Sequence, residues 1–479
     1  MRSVFELAII AGAYFVLMSL LVSAFGRGFA HSKLGFLLAN RSMGRLAAGL
    51  TVAATWVWAP ALFLSGQKAY TEGWIGLMWF VLPNVACLLV FGWFADRVRR
   101  QDPAGYTLTA FMHNRHRSRT VQCIYLVAMV GLAVCSYAVQ LLAGSKVLSL
   151  VYGSDFLTTS IILSAGTLCY SAFSGLNSSI IASYVKLAAI LCGAIIPAIA
   201  VVSMSGGSVV VLQGAGGVSG RYWEFFSSDS WIVFISFGFP ATIGLMSGPF
   251  GDQSFWQRAY ATRTSAILSS FVLGAAVFAI VPLGMSLIGF AAAGIGFKPV
   301  ELQMVTFEYL RAVLPDWALP FFVFAVLAGL CTVLDSNMCA VASFFGHDFL
   351  RGRDDGRRPI FSARIGMLLL AIFGTMVANL PGIQIVHLFL IYGTLRATTL
   401  VPTIGSILSD RVTAMGVTVG MIGAFIVALP VFVCGQILGK PLLSATGSLL
   451  TILLPLMSIW LLRIRTPTLA RNRAHAKQT

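Results

Sequence analysis

Long apolar blocks alternate with short polar segments along the whole chain, and many blocks run for 18 residues or more. As helix, such a block crosses the ~30 Å of hydrocarbon in a bilayer. The alternating apolar-out pattern of a membrane β-barrel is absent. The pattern predicts thirteen helical spans, at roughly 3–25, 45–70, 73–96, 120–151, 156–175, 177–204, 230–251, 264–292, 316–346, 361–379, 383–409, 412–437 and 441–463. The expected fold class is therefore an all-α integral membrane protein. The first span is too long for the apolar region of a signal peptide and lacks a polar small-residue cleavage region, so it is read as retained.

Composition agrees. Of 479 residues, 58% are hydrophobic and 10% charged, and mean hydropathy is +0.88. A soluble protein of this size carries about 25% charged residues. The net charge of +16 does not point to nucleic acid, because its distribution follows topology. Of 32 basic residues, 23 fall in one alternating set of loops and the tail, including Arg41, Arg99, Arg258, Arg351 and Arg353. Only seven fall on the other side. The positive-inside rule then places the N-terminus outside and the C-terminus in the cytoplasm, which suits an odd number of spans and a cell-membrane location. The eight cysteines lie inside apolar spans without CxxC or His-containing metal spacing, so core packing is their expected role. No GxxxxGK[ST] phosphate loop is present, so energy for pumping must come from an ion gradient or from the solute.

Two spans carry helix-breaking residues at membrane depth. Span two holds Thr51, Thr55, Trp56, Trp58, Pro60, Ser65 and Gly66. Broken backbone there is tolerated where protein or a water-filled cavity covers it, and freed carbonyls around Ala53 to Trp56 could ligate a small cation. An ordinary proline kink is the competing reading. Span seven ends SGPFGDQSFWQR, and its Gly and Pro residues before Asp252 and Gln253 predict a second unwound point. Here the alternative is a helix that ends near Pro249 and leaves Asp252 in solvent.

Ionisable residues inside spans are costly and mark pathways or partners. Lys186 is nine residues into span six, ~13 Å along the helix axis. Arg396 stands near the middle of span eleven. Its partner is expected to be Asp335, in a structural ion pair, or a solute carboxylate that fits the guanidinium fork. In GLCTVLDSNMCAVASFFGHD, residues 329–348, Thr332, Asp335 and Ser336 share one helix face.

These pieces, in order, resemble the sodium:solute symporter family, which has a LeuT-like fold. The matching segments are FLLANRSMG at 36–44, the broken span two, YSAFSGLNSSIIASYVK at 170–186, DQSFWQR at 252–258 and TVLDSNMCAVASFFGHD at 332–348. ATWVWAPALFLSG and GDQSFWQRA look most like the urea-permease branch. The resemblance implies an inverted repeat of five plus five helices, with one extra helix before it and two after. Residues 1–479 then form a single transmembrane domain. It divides into 1–44, repeats at 45–204 and 205–409, and a C-terminal part at 410–479.

The resemblance also implies a sodium site formed by the carbonyls of Ala53, Trp56 and Gly329 and the hydroxyl of Thr332. Two ligand positions are degraded: Val333 stands where the family has a second hydroxyl, and Ser183 where many members have a carboxylate. Lys186, one turn beyond Ser183, is expected to be able to take the place of a bound cation beside Thr332 and to permit proton coupling or sodium-independent transport, with sodium symport remaining what the family implies by default. Residues expected to face the solute are Thr55, Trp58, Phe250, Asp252, Gln253 and Arg396.

The expected function is secondary active uptake of a small polar solute, such as urea or a small carboxylate, by alternating access coupled to Na+ or H+. No other cofactor is expected, and the partners are the solute and the lipid bilayer, with no nucleic acid. The competing class is a non-transporting solute sensor of the same fold. An enzyme would need a nucleophile–base pair or metal ligands, and no such spacing is found.

Overall fold

The protein is described by a computed structural model covering residues 4–29, 31–350, 357–382 and 385–463. The basic loop at Arg351 and Arg353 and the tail beyond Arg463 lie outside these residues. The helices in chain order are α1 (Val4–Phe25), α2 (Lys33–Leu38), α3 (Arg45–Trp56), α4 (Ala59–Leu62), α5 (Leu64–Gln101), α6 (Leu108–His116) and α7 (Arg119–Tyr152). Then come α8 (Phe156–Ser174), α9 (Leu176–Met204), α10 (Ser208–Gly214), α11 (Ser228–Val233), α12 (Phe239–Met246), α13 (Gly248–Gly251) and α14 (Gln253–Ala261). The rest are α15 (Ile267–Gly294), α16 (Val305–Val313), α17 (Leu319–Ser343), α18 (Arg357–Ala378), α19 (Ile385–Leu408), α20 (Ala414–Gly423), α21 (Leu429–Ile437) and α22 (Pro441–Leu461).

Eleven described helical segments are long and apolar enough to cross a membrane. The two other expected spans are helical as well. One is span two, formed by α3, α4 and the start of α5 and broken between α3 and α4, and the other is α19. The segment 205–229 contains the short α10, and 295–318 contains α16.

The core is a bundle in which α15 packs on α3, α5 and α9, while α17 packs on α7, α9 and α18. Helix α17 is the most enclosed: the side chains from Val326 to Ser343 are all buried. α1 lies at the edge against α8 and α9, with Phe5 and Leu20 mostly exposed as expected for a lipid-facing helix.

The two predicted breaks are present, and each has a local cause. α3 stops at Trp56, and Val57 and Trp58 are extended, with ψ of 91° and 173°. Pro60 lies in the first turn of α4, where its missing N–H costs nothing. Because residue 60 is proline, the Trp56 carbonyl has no i+4 donor. The Ala59 N–H is capped instead by the Gln140 side-chain carbonyl of α7, at 2.9 Å. The second break is at Asp252, extended at φ −110°, ψ 112°, between α13 and α14. Its Oδ1 accepts from the Ser254 N–H at 2.9 Å and the Ser254 hydroxyl at 2.7 Å, so the residue that ends one helix caps the next.

A third interruption falls at the expected boundary between spans two (45–70) and three (73–96). Gly73 divides α5 at φ +59°, and the chain 215–218 closes against it. A Cβ at Gly73 would sit 2.3 Å from the Ala215 carbonyl oxygen. The Trp74 N–H donates to that same carbonyl at 2.9 Å, and the Val218 N–H donates to the Tyr70 carbonyl at 2.7 Å.

Candidate functional site

The two breaks meet at a small enclosed cavity. Thr55, Trp56 and Trp58 line it from the first break, and Asp252, Ser254 and Phe255 from the second. α17 adds Val333, Ser336 and Asn337, α7 adds Ser136, and α19 adds Tyr392 and Arg396. The space open to the centre of a water-sized sphere is about 10 Å³, roughly one water molecule's worth. The cavity between the two breaks is thus narrow in this conformation.

Charge inside the cavity is paired. The Arg396 guanidinium donates to Asp252 Oδ2 at 3.1 Å, and the Tyr392 hydroxyl donates to the same oxygen at 3.3 Å. The guanidinium carbon lies 3.6 Å from the Tyr392 ring centroid and 5.4 Å from each of the Trp56 and Trp58 rings. Such stacking on desolvated aromatic faces adds attraction to the ion pair. Gly248 makes this possible: a Cβ there would stand 2.3 Å from the Trp56 ring and 3.2 Å from an Arg396 nitrogen. Asn337 Nδ2 donates to the Ser136 hydroxyl at 3.0 Å.

The expected Arg396–Asp335 pair is therefore corrected. Arg396 belongs to Asp252, and Asp335 belongs to Lys186. Lys186 is fully buried, and its ammonium donates to the Asp335 carboxylate and to the Tyr170 hydroxyl, the latter at 2.8 Å. Asp335 also accepts from Tyr170 at 3.0 Å and Ser179 at 2.9 Å. The expectation that Lys186 addresses Thr332 is corrected with it. The Thr332 hydroxyl donates to the Ala328 carbonyl at 2.7 Å, and the lysine engages the carboxylate almost one turn further along α17.

The other expected residues divide as follows. Thr55, Trp58, Asp252 and Arg396 face the cavity. Phe250 does not; it packs against Phe91, Phe94 and Trp256. Gln253 does not either. Its carbonyl accepts from the Leu108 N–H at 3.1 Å, and its amide donates to Tyr106 O and Ser343 Oγ, both at 3.2 Å, tying α14 to α6 and α17. Of the expected cation-site positions, Trp56 is among the residues lining the cavity, as is Val333 at the degraded position. The Ala53 carbonyl still accepts from the Val57 N–H at 3.0 Å. A Cβ at Gly329 would meet Leu62 at 2.9 Å. The Ser183 hydroxyl turns back to the Ser179 carbonyl at 2.6 Å. Among the described residues no group of three or more His, Cys, Asp or Glu side chains is placed to hold a metal.

Arg258 was missed. Counted as a loop charge, it is fully buried, donating to the Ser336 hydroxyl at 2.8 Å. The signal was present in DQSFWQR, whose last residue is this arginine. On the side that carries the basic loops, Arg41 donates to the carbonyls of Ala104 and Gly105 at 2.8 and 2.9 Å. Burial pushes the nearby Asp102 carboxyl up, and Arg41 and Arg99 oppose that shift.

A model of the sodium:solute symporter family matches residues 36–424. The chain belongs to the sodium:solute symporter family. Probable urea active transporter 1 of Schizosaccharomyces pombe is 25% identical over 77% of this chain and 60% of its own length. The urea-proton symporter DUR3 of Oryza sativa subsp. japonica is 22% identical over 91% of this chain and 66% of its own. The sodium/pantothenate symporter of Escherichia coli is 25% identical over 81% of this chain and 82% of its own. The chain thus spans 60 and 66% of the length of the two urea relatives.

Among solved structures, a Na+-coupled sialic acid symporter in a substrate-bound outward-open state superposes with a TM-score of 0.76, at 15% identity over 96% of this chain and 98% of that one. A nucleobase-cation-symport-1 family transporter in a closed conformation gives 0.60, at 14% identity over 89% and 94%. These likenesses show the fold: a LeuT-like multi-pass membrane architecture. The family is one of symporters rather than enzymes, and it implies Na+ or H+ as coupling ion. Urea transporters among the relatives match the urea-permease-like branch read from the sequence.

Proposed function

We propose that this protein is a proton-coupled importer of a small, neutral, amide-bearing solute, with urea as the first candidate, working by alternating access. The observation that carries the solute class is the Asp252–Arg396 pair in the cavity wall. A guanidinium donates to a carbonyl oxygen, and a carboxylate accepts from amide N–H groups. Held side by side, they match the two ends of an amide while presenting no net charge. A solute carboxylate would meet Asp252 at the same place, and like charges in a closed site repel. Asn337, Ser136 and Thr55 supply further donors and acceptors.

Proton coupling is supported by the donor set. The positions that would hold sodium offer carbonyls and one hydroxyl but no carboxylate, since Val333 and Ser183 replace richer ligands. The carboxylate of this region, Asp335, is engaged by Lys186. Lysine carries a proton that it can release, so one side chain serves as both internal cation and coupling group. The similarity to the rice urea-proton symporter agrees.

We place the inverted repeats at 45–204 and 205–409, because each break falls in the first spanning helix of its half. We place the protein in the cell membrane with the N-terminus outside and the C-terminus in the cytoplasm, on the basic-loop count. The test of solute and carriage is counterflow in proteoliposomes. Trans-loaded urea accelerates entry of labelled urea if this reading holds. Entry that ignores the trans solute indicates a channel, and binding without flux indicates a sensor.

A further inference from the structure

Arg258 on α14 is fully buried, and no described carboxylate lies within ion-pair distance of it. Its Nη1 donates to the Ser254 carbonyl at 3.0 Å. Its Nη2 donates to Ser336 Oγ at 2.8 Å and reaches Ser179 Oγ at 3.4 Å, while Nε has no partner. A buried guanidinium without an anion is costly, and arginine does not shed its proton to escape that cost.

The two serines lead to one carboxylate. Ser179 donates to Asp335 Oδ1 at 2.9 Å, and Ser336 Oγ stands 3.4 Å from the same oxygen. On the far side, Asp335 Oδ2 takes Lys186 and Tyr170. The carboxylate is thus flanked by two cations, one it touches and one it reaches through hydroxyls. The other titratable groups around it are Tyr14 on α1, Tyr137 on α7, Tyr170 on α8, and Cys331 and Cys339 on α17. All five are uncharged in their ordinary protonated form. With Lys186 protonated the cluster carries one positive charge too many. With Lys186 neutral it balances, Arg258 then being the partner of Asp335.

We propose that Arg258 is the positioning residue that makes the Lys186 proton releasable, by holding the charge that neutralises Asp335 once that proton has gone. The proton leaves to water, the lysine nitrogen keeps the bonding pair, and the carboxylate turns to Arg258. Ser336 reports the change to the solute. Its single hydrogen goes to the Thr332 carbonyl at 2.6 Å, and its lone pairs accept from Arg258 and from Thr55 Oγ1 at 3.1 Å. When Asp335 turns, that hydrogen can pass to Oδ1 instead. Thr55 and Ser336 both line the cavity, so the protonation state of a residue outside it reaches its wall.

This rests on the proton-coupled reading, and the experiment separates the two. Urea uptake into proteoliposomes is measured across external pH for wild type, Arg258→Gln and Arg258→Lys. Wild-type uptake rises as the outside is acidified. In Arg258→Gln the profile moves to higher pH by about one unit or more, as loss of a nearby cation demands, while the KM for counterflow stays within about twofold. Arg258→Lys restores the wild-type profile. A wild-type response with an unmoved Arg258→Gln profile overturns the role of Arg258 alone. No wild-type response to pH overturns the proton reading itself. Should Arg258→Gln fail to fold, Lys186→Met carries the test. It elutes as a monodisperse species because Arg258 still neutralises Asp335, and its counterflow no longer varies with pH. Aggregation of Lys186→Met, or counterflow that keeps the wild-type pH profile, contradicts the proposal.

Discussion

Asp252 and Arg396 meet at 3.1 Å across the second helix break, with three aromatic rings around the guanidinium. The carboxylate serves two masters: Oδ1 caps α14 and Oδ2 holds Arg396. Removing Asp252 leaves the buried Arg396 charge alone, which costs about 3–5 kcal/mol, and removing Arg396 leaves the part-buried Asp252 carboxylate at a smaller cost. Arg396→Ala and Asp252→Ala are each expected to lower thermal stability and to abolish urea uptake. The double variant should be less destabilised than the sum of the two. Additive losses in a double-mutant melting cycle would mean the pair is not coupled.

Gly248→Ala tests how tightly the first break is packed against the second. The added methyl meets the Trp56 ring at 2.3 Å, so the indole or the backbone must move. Overpacking of this kind costs about 1–3 kcal/mol. The KM for urea is expected to rise before stability fails. Wild-type KM and melting temperature in this variant would show that the cavity wall is looser than the contacts imply.

Val333→Ser separates two readings of one position. By family resemblance a hydroxyl there ligates sodium, yet Val333 lines the cavity proposed to hold the solute. The serine variant is expected to alter urea KM without introducing sodium dependence. Uptake newly stimulated by sodium would place residue 333 in a cation site.

Gln140→Ala removes the cap on the Ala59 N–H at the start of α4. Loss of a buried cap costs about 1–2 kcal/mol. The variant should melt lower and transport more slowly, while Gln140→Glu, which keeps an acceptor, should be milder. Identical melting of the two variants would argue that the cap does not hold the break.

Much of the fold was legible because its signals are local. Apolar blocks marked the spans, and Gly, Pro and Asp marked both breaks at 57–58 and 252. Pairing across the bundle was not local. Lys186 and Asp335 are 149 positions apart, and Asp252 and Arg396 are 144 apart. Nothing in either neighbourhood says which cation belongs to which carboxylate. Phe250 and Gln253 were misplaced because the extended backbone at Asp252 turns its neighbours away, one into an aromatic cluster and the other towards α6. Arg258 was hidden by its sequence context, since a basic residue just beyond a span reads as a loop charge. Its burial arises from α14, which folds back against α17.

The central claim, that a proton gradient drives the proposed uptake, is tested most directly by labelled urea accumulation in proteoliposomes under one gradient at a time. An inward proton gradient without sodium is expected to drive accumulation above equilibrium, and an inward sodium gradient at equal pH is expected to leave it at equilibrium. Accumulation that follows sodium and ignores protons, with Lys186→Ala behaving as wild type, would contradict the account.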